Sequence, residues 1–302
     1  MPPRLESERF HTGVLNVNKG AGETSFAVVH RLRRLTGARR VGHAGTLDPL
    51  ATGVLPILFE SATRLADFAH LLPKTYVARV HLGFTTATDD AEGGAEAGAD
   101  PSHLTASDLE RELAGFVGRF HQQPPAYSAV KIEGRRAYKL AREGEPARPP
   151  MREVEVFDAR LLDFEPGPNA VAGIEVRCGS GTYLRSIARD LGERLGVGGY
   201  LGRLTRTAYG PLTLEDAVEP EALDDAAAVQ DRLLPAEVIL PDMERVRLNV
   251  EQEAQVRQGR PVRVLPEPRL GPVRAHDAEG RLIALGHTDP LRRTFVPEKV
   301  LS

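Results

Sequence analysis

A single cysteine, Cys178, stands in the whole 302-residue chain, which excludes an internal disulfide and any zinc site built on several thiolates. In its alternating apolar surroundings Cys178 reads as a small core residue and not as a nucleophile. The nine histidines are scattered, none three or four residues from another, so no metal site is expected. No apolar run approaches the roughly 20 residues that cross a bilayer. The stretch from Met1 to Phe10 lacks the apolar centre of a signal peptide. A cytoplasmic protein without membrane contact is the expectation. No phosphate-cradling glycine loop follows a strand, and no internal repeat is present.

What the chain has is charge sorted by region. The net charge of −3 is small, yet residues 31–40 carry Arg31, Arg33, Arg34, Arg39 and Arg40 and no acid. Residues 214–244 carry ten acids against Arg232 alone, a run that reads as solvated surface. Affinity for a polyanion follows local phosphate neutralisation and not the total, so a basic face for RNA is compatible with this balance. From 245 to 302 the balance turns basic again, 11 Arg and Lys against 7 Asp and Glu. Gly and Pro there break the chain into short strand-like runs, a small β-rich appendage.

Periodicity predicts a strand over 13–19, then a helix capped by Thr24 or Ser25. Its Val28, Val29, Leu32 and Leu35 recur at helical spacing, and it ends near Gly37. Further strands are predicted over 54–59, 74–83, 127–132, 154–162 and 172–178, and helices over 62–72, 136–143 and 184–195. Residues 91–100 read as a loop, and Ser107–Glu110 as a capping box. Within 74–83, Tyr76, Ala78, Val80 and Leu82 share one face, so periodicity alone makes Tyr76 a core aromatic. Without a βαβ rhythm, the fold class is α+β and not a doubly wound sheet.

One acid is singled out by its setting. In Gly42-His43-Ala44-Gly45-Thr46-Leu47-Asp48-Pro49-Leu50-Ala51-Thr52-Gly53-Val54-Leu55-Pro56 a lone carboxylate, Asp48, sits in a turn crowded with Gly, Thr and Pro, between the arginine-rich helix and an apolar run. An Asp-Pro turn is commonly no more than turn chemistry. A turn held by Gly42, Gly45 and Pro49 is also how a reactive group is presented in a fixed direction.

That run resembles the catalytic motif of the TruB family of tRNA pseudouridine synthases. Four more segments carry the likeness: Lys19–Ser25, Gly83–Asp90, Tyr127–Lys131 with Gly134 and Tyr138, and Gly181–Ser186. They depart from the family pattern at Asn18, Gly20 and Ala87, none of them a proposed reacting group. The resemblance spans about residues 13–210. It implies a mixed, largely antiparallel central sheet flanked by helices. It also implies a catalytic domain over 1–243, with an RNA-contacting insertion over 121–152, and a PUA-like RNA-binding domain over 244–302.

The implied activity is isomerisation of a uridine, conventionally uridine 55, in the T-arm stem-loop of tRNA, by a monomer with no obligatory protein partner. No cofactor is needed, because nothing is oxidised and no group leaves the polymer. Asp48 is the implied reacting carboxylate, as nucleophile at C1′ or C6 or as base at C2′. Arg185 is its orienting partner. Tyr183, which would share a face with Arg185 if that backbone were extended, is placed to move the C5 proton. The flipped base is assigned to Tyr76 and Leu204, with His43 and Lys19 near it. RNA contacts are assigned to Arg39, Arg40, Lys131, Arg135, Arg136, Lys139 and Arg142. Two other functions remain open on the same residues: a tRNA-binding or folding chaperone with an incidental carboxylate, and a guide-RNA-dependent subunit acting on ribosomal RNA.

Overall fold

The computed structural model describes residues 10–128, 130–132, 134–143, 148–240, 243–264, 271–289 and 291–301. Strand β1 (Gly13–Lys19) leads to helix α1 (Ser25–Thr36), where Thr24 accepts from the Ala27 N–H. Gly37, at φ 66°, closes the helix in the left-handed conformation that a side chain resists. A short β2 (Val41–His43) and the apolar β3 (Thr52–Phe59) flank the Asp48 turn. The helix expected over 62–72 begins instead as a tight 3-10 turn, Glu60–Leu65, and only then becomes α2 (Ala66–Leu71).

Strand β4 (Lys74–Leu82) follows, then β5 (Phe84–Thr86) and β6 (Ala95–Ala97), which pair as a small ribbon where a plain loop was expected. Helix α3 (Ala106–Ala114) is capped by Thr105 and Asp108. The capping box therefore starts two residues before Ser107, because the Thr105 hydroxyl reaches the Asp108 N–H and the Asp108 carboxylate returns to Thr105. Strand β7 (Gly118–Gln122) was not foreseen. Of the strand expected over 127–132 only β8 (Lys131–Ile132) pairs, with β9 (Arg135–Arg136), before α4 (Ala137–Arg142).

The long β10 (Arg152–Glu165), β11 (Val171–Cys178), α5 (Leu184–Arg194), β12 (Gly199–Tyr209) and β13 (Leu212–Thr213) complete the larger sheet. Beyond α6 (Ala226–Asp231) come β14 (Glu244–Arg247), α7 (Val250–Arg257), β15 (Val262–Arg263), β16 (Pro272–His276), β17 (Leu282–Asp289) and β18 (Thr294–Val300).

The larger sheet runs β1-β3-β12-β4-β11-β10-β7, with β2 on β3 and β13 on β12. Its described pairings are antiparallel except β12 with β3, as expected of an α+β fold. On one face α1, α3 and α5 pack through Val28, Leu32, Leu109, Ile187 and Leu191. The other face holds a second cluster in which Val14, Val54, Leu58 and Tyr209 meet Leu285 of the smaller sheet and Leu301, which follows its last strand. With both faces covered, β1 is buried along nearly its whole length, its polar Asn16 and Lys19 included. The smaller sheet, β14-β16-β17-β18-β15, encloses its own core around Val256, Val273 and Phe295.

Candidate active site

The central strand β4 places Tyr76 opposite Arg206 of β12, and Arg206 in turn lies opposite Gly53 of β3. This seam of three strands is where the Asp48 turn hangs. The turn is pinned from below. The Ser25 hydroxyl accepts from the Leu47 N–H at 2.9 Å and donates back to the Leu47 carbonyl at 3.2 Å. Lys19 Nζ donates to the carbonyls of Gly20 at 2.8 Å, Glu23 at 2.7 Å and Pro49 at 3.3 Å. Gly45 takes φ +80°, and a Cβ on it would come within 3.0 Å of the Tyr209 ring.

Asp48 meets the guanidinium of Arg185 at 2.9 Å. Arg185 also contacts Asp90 at 3.3 Å and donates to the Thr88 carbonyl at 3.3 Å. Asp90 is itself held by the Thr88 hydroxyl at 2.6 Å and the Glu92 N–H at 3.0 Å. The Arg185 and Asp90 side chains are 8% and 3% exposed, whereas Asp48 is 39% exposed. The row Asp90–Arg185–Asp48 is therefore anchored in the interior and free only at its reactive end. A charge-assisted pair of this kind fixes the direction of the carboxylate.

Asp48, Tyr76, Tyr183, Arg185 and Leu204 line one cavity of about 460 Å³. That volume lies within the roughly 300–1,000 Å³ typical of small-molecule pockets, room for one nucleoside. Tyr183 sits at the N-cap of α5 and Arg185 in its first turn, so they do not share the face of an extended strand. Gln122, 1% exposed, brings both to the cavity by accepting from the Tyr183 N–H at 2.9 Å and donating to its carbonyl at 3.1 Å. Burial pushes the Tyr76 phenol above its ordinary pKa.

Lys19 requires correction. It is fully buried, its ammonium held by three carbonyls and its pKa lowered by burial, so it braces the Asp48 turn from the interior and is not an exposed cation beside the base. His43 lies half-buried on β2, outside the cavity lining, its pKa lowered by burial. Arg39 and Arg40 are exposed beside β2, and Lys139 on α4. Arg135 is exposed but pairs with Glu143. The side chains of Lys131, Arg136 and Arg142 lie outside the described residues.

Sequence reasoning missed several residues here. Arg206, 1% exposed, donates to the Val54 carbonyl at 2.6 Å and the Gly45 carbonyl at 3.0 Å, and lies 3.5 Å from the Tyr76 hydroxyl. Lys74, 5% exposed, donates to the His70 carbonyl at 2.6 Å and to Ser180 Oγ at 2.7 Å. Burial, with the nearby Arg206, brings its pKa down to about 8. Both line the cavity. For Lys74 a signal existed, since it shares the β4 face of Tyr76. Cys178 is buried and pushed up to about 11 by burial, as expected of a core thiol. Among the described residues no cluster of His, Cys, Asp and Glu fits a metal, and no helix is long and apolar enough to cross a membrane.

Similarity to known proteins follows the same residues. A family model described as TruB family pseudouridylate synthase (N terminal domain) matches residues 33–184, and one described as tRNA pseudouridylate synthase B C-terminal domain matches 185–246. The chain is 44% identical over 281 residues to tRNA pseudouridine synthase B of Synechococcus elongatus, covering 91% of this chain and 93% of the relative. With tRNA pseudouridine synthase B of Thermobifida fusca it shares 43% over 278 residues, 90% and 93% of the two chains. In three dimensions it is similar to a chain in the crystal structure of a Cbf5-Nop10-Gar1 complex, with TM-score 0.72 and 25% identity over 96% of this chain and 85% of that one. The protein belongs to the TruB family of pseudouridylate synthases.

Proposed function

We infer that this protein converts a uridine in the T-loop of tRNA, uridine 55, into pseudouridine, with Asp48 as the reacting group. The observation that carries this reading is the carboxylate held at 2.9 Å by a buried guanidinium at the mouth of a nucleoside-sized cavity with an aromatic wall. The relatives named tRNA pseudouridine synthase B supply the substrate class.

The reaction breaks N1–C1′, joins C5 to C1′, and moves the C5 proton so that N1 ends protonated. Atoms and charge balance without a co-reactant. The uridine must first leave its stack. Tyr76 then offers its face to the base, a contact worth roughly 1–3 kcal/mol, and Leu204 closes the opposite side. Asp48 attacks C1′ or C6, or takes the C2′ proton. Tyr183 lines the same cavity, and in this reading its phenol carries the C5 proton.

The remaining assignments rest on this reading. Residues 1–243 form the catalytic domain, with 121–152 as the segment that closes over RNA through Lys131, Arg135, Arg136, Lys139 and Arg142. Residues 244–302 form a PUA-like RNA-binding domain, and Arg39, Arg40 and His43 flank the T-arm. The enzyme works in the cytoplasm as a monomer without a protein partner. Unmodified tRNA incubated with purified protein, and separately with Asp48→Asn, tests the assignment by mass spectrometry. Pseudouridine from the native protein alone, with a loss of roughly 10³-fold or more in the variant, is the expected result. Equal product from both overturns it, and a requirement for added subunits would favour the guide-RNA-dependent reading.

A further inference from the structure

The cavity has two sides of different electrostatic design. On one, the single positive charge of Arg185 lies between Asp48 and Asp90. On the other, Lys74 and Arg206 line the wall, both nearly inaccessible to water. Among the described residues neither has a carboxylate within ion-pair distance. Their polar partners are neutral: carbonyls of Val54, Gly45 and His70, and the hydroxyls of Ser180 and Tyr76. Two tyrosine rings add their π faces, with Lys74 Nζ 4.8 Å and the Arg206 guanidinium 5.0 Å from the Tyr209 centroid, and the same guanidinium 6.0 Å from the Tyr76 centroid.

Burying cations without counter-charge is expensive, and proteins retain such groups where a ligand supplies the missing charge. A second observation indicates an unfilled site. Ser128 Oγ, in the lining of the same cavity and 4% exposed as a residue, has no hydrogen-bond partner among the described residues. Arg206 is immobilised by its three contacts, but Lys74 reaches the lining through an unbranched chain and touches Ser180, an exposed residue at the rim.

We propose that Lys74 is a substrate-binding cation, which receives an anionic oxygen of the flipped nucleotide while Arg206 raises the positive potential behind it. This rests on the pseudouridine synthase reading. The oxygen has two possible sources of the same chemistry. A phosphate flanking the flipped uridine carries its charge throughout binding. The uracil carbonyls carry it only after N1–C1′ has broken and left its electron pair on the base, where a fixed cation stabilises it.

The test compares native protein, Lys74→Met and Lys74→Arg on a T-arm hairpin. It measures affinity as a function of salt and single-turnover pseudouridine formation at saturating RNA. If the phosphate is the ligand, Lys74→Met weakens binding about tenfold and lowers the log–log salt slope by about 0.7–0.9, while the saturated rate stands. If the uracil is the ligand, affinity stands and the rate falls about 10²–10³-fold.

In either case kcat/KM of the native protein falls as pH rises through about 8, where Lys74 loses its proton, and Lys74→Arg does not show this fall. The pH profile of the native protein decides the matter should the methionine variant not fold. Native affinity and rate in Lys74→Met, or the same alkaline fall in Lys74→Arg, overturns the proposal. Absence of pseudouridine with native protein would instead defeat the functional reading.

Discussion

The two walls of the cavity teach opposite lessons about buried charge. Asp48 and Asp90 both pair with Arg185 within the chain, so each charge of this wall has an opposite partner before any RNA arrives. Lys74 and Arg206 are surrounded by carbonyls, hydroxyls and rings, and the chain leaves their charge uncancelled. Breaking the first wall should cost stability. Discharging the second should increase it.

The largest effect is expected from Arg185→Met. It leaves Asp90, 3% exposed, without its cation, and breaking a buried pair in this way costs about 3–5 kcal/mol. Chemical denaturation should show that loss, together with loss of pseudouridine formation. An unchanged midpoint would mean that Asp90 is satisfied by Thr88 and Glu92 alone. Next comes Lys74→Met at pH 7, expected to raise stability by roughly 1–3 kcal/mol, since a pKa held near 8 instead of 10.5 means that burial opposes the charged form.

The sign sets the pH window. Between about 8 and 10.5 the unfolded chain keeps the proton that the folded protein has released, so this group makes the native protein more stable as pH rises. Lys74→Met should lack that increment. A variant less stable than native at pH 7 would make Lys74 a structural brace and erase the contrast between the walls. The smallest effect is Ser25→Ala, which removes both hydrogen bonds to Leu47 and should cost about 1–2 kcal/mol by thermal unfolding. A slower pseudouridine-forming step with unchanged RNA affinity would show that the pin serves the aim of Asp48.

How much of this was legible in the sequence depended on whether a residue's neighbours lay close along the chain. The short strand β1 and the Thr24 and Gly37 ends of α1 were readable because propensity and capping are local. The alternation of β4 gave the face on which Tyr76 lies but read it as a core aromatic, whereas it lines the cavity. The seam strand β12 was not readable. It opens on Gly199 and is interrupted by Gly202, its register shifts twice against β4, and the buried Arg206 breaks the apolar alternation. Lys19 and Arg206 were misread or missed for one physical reason. A cation in a sequence looks like surface, and only tertiary contacts with carbonyls distant in the chain reveal it as interior. Asp90 was visible as part of a motif, yet its service to Arg185 needed the fold.

Leu285 of the smaller sheet and Leu301 just past its last strand are buried in the same apolar cluster as Val14 and Leu58 of the larger one, and Lys299 bonds Asp67 across the contact at 2.6 Å. The appended sheet is thus keyed into the body and not tethered by a swinging linker. An RNA hairpin gripped by both parts would be measured against a ruler of fixed length, so the enzyme could choose which nucleotide enters its cavity by distance as well as by sequence.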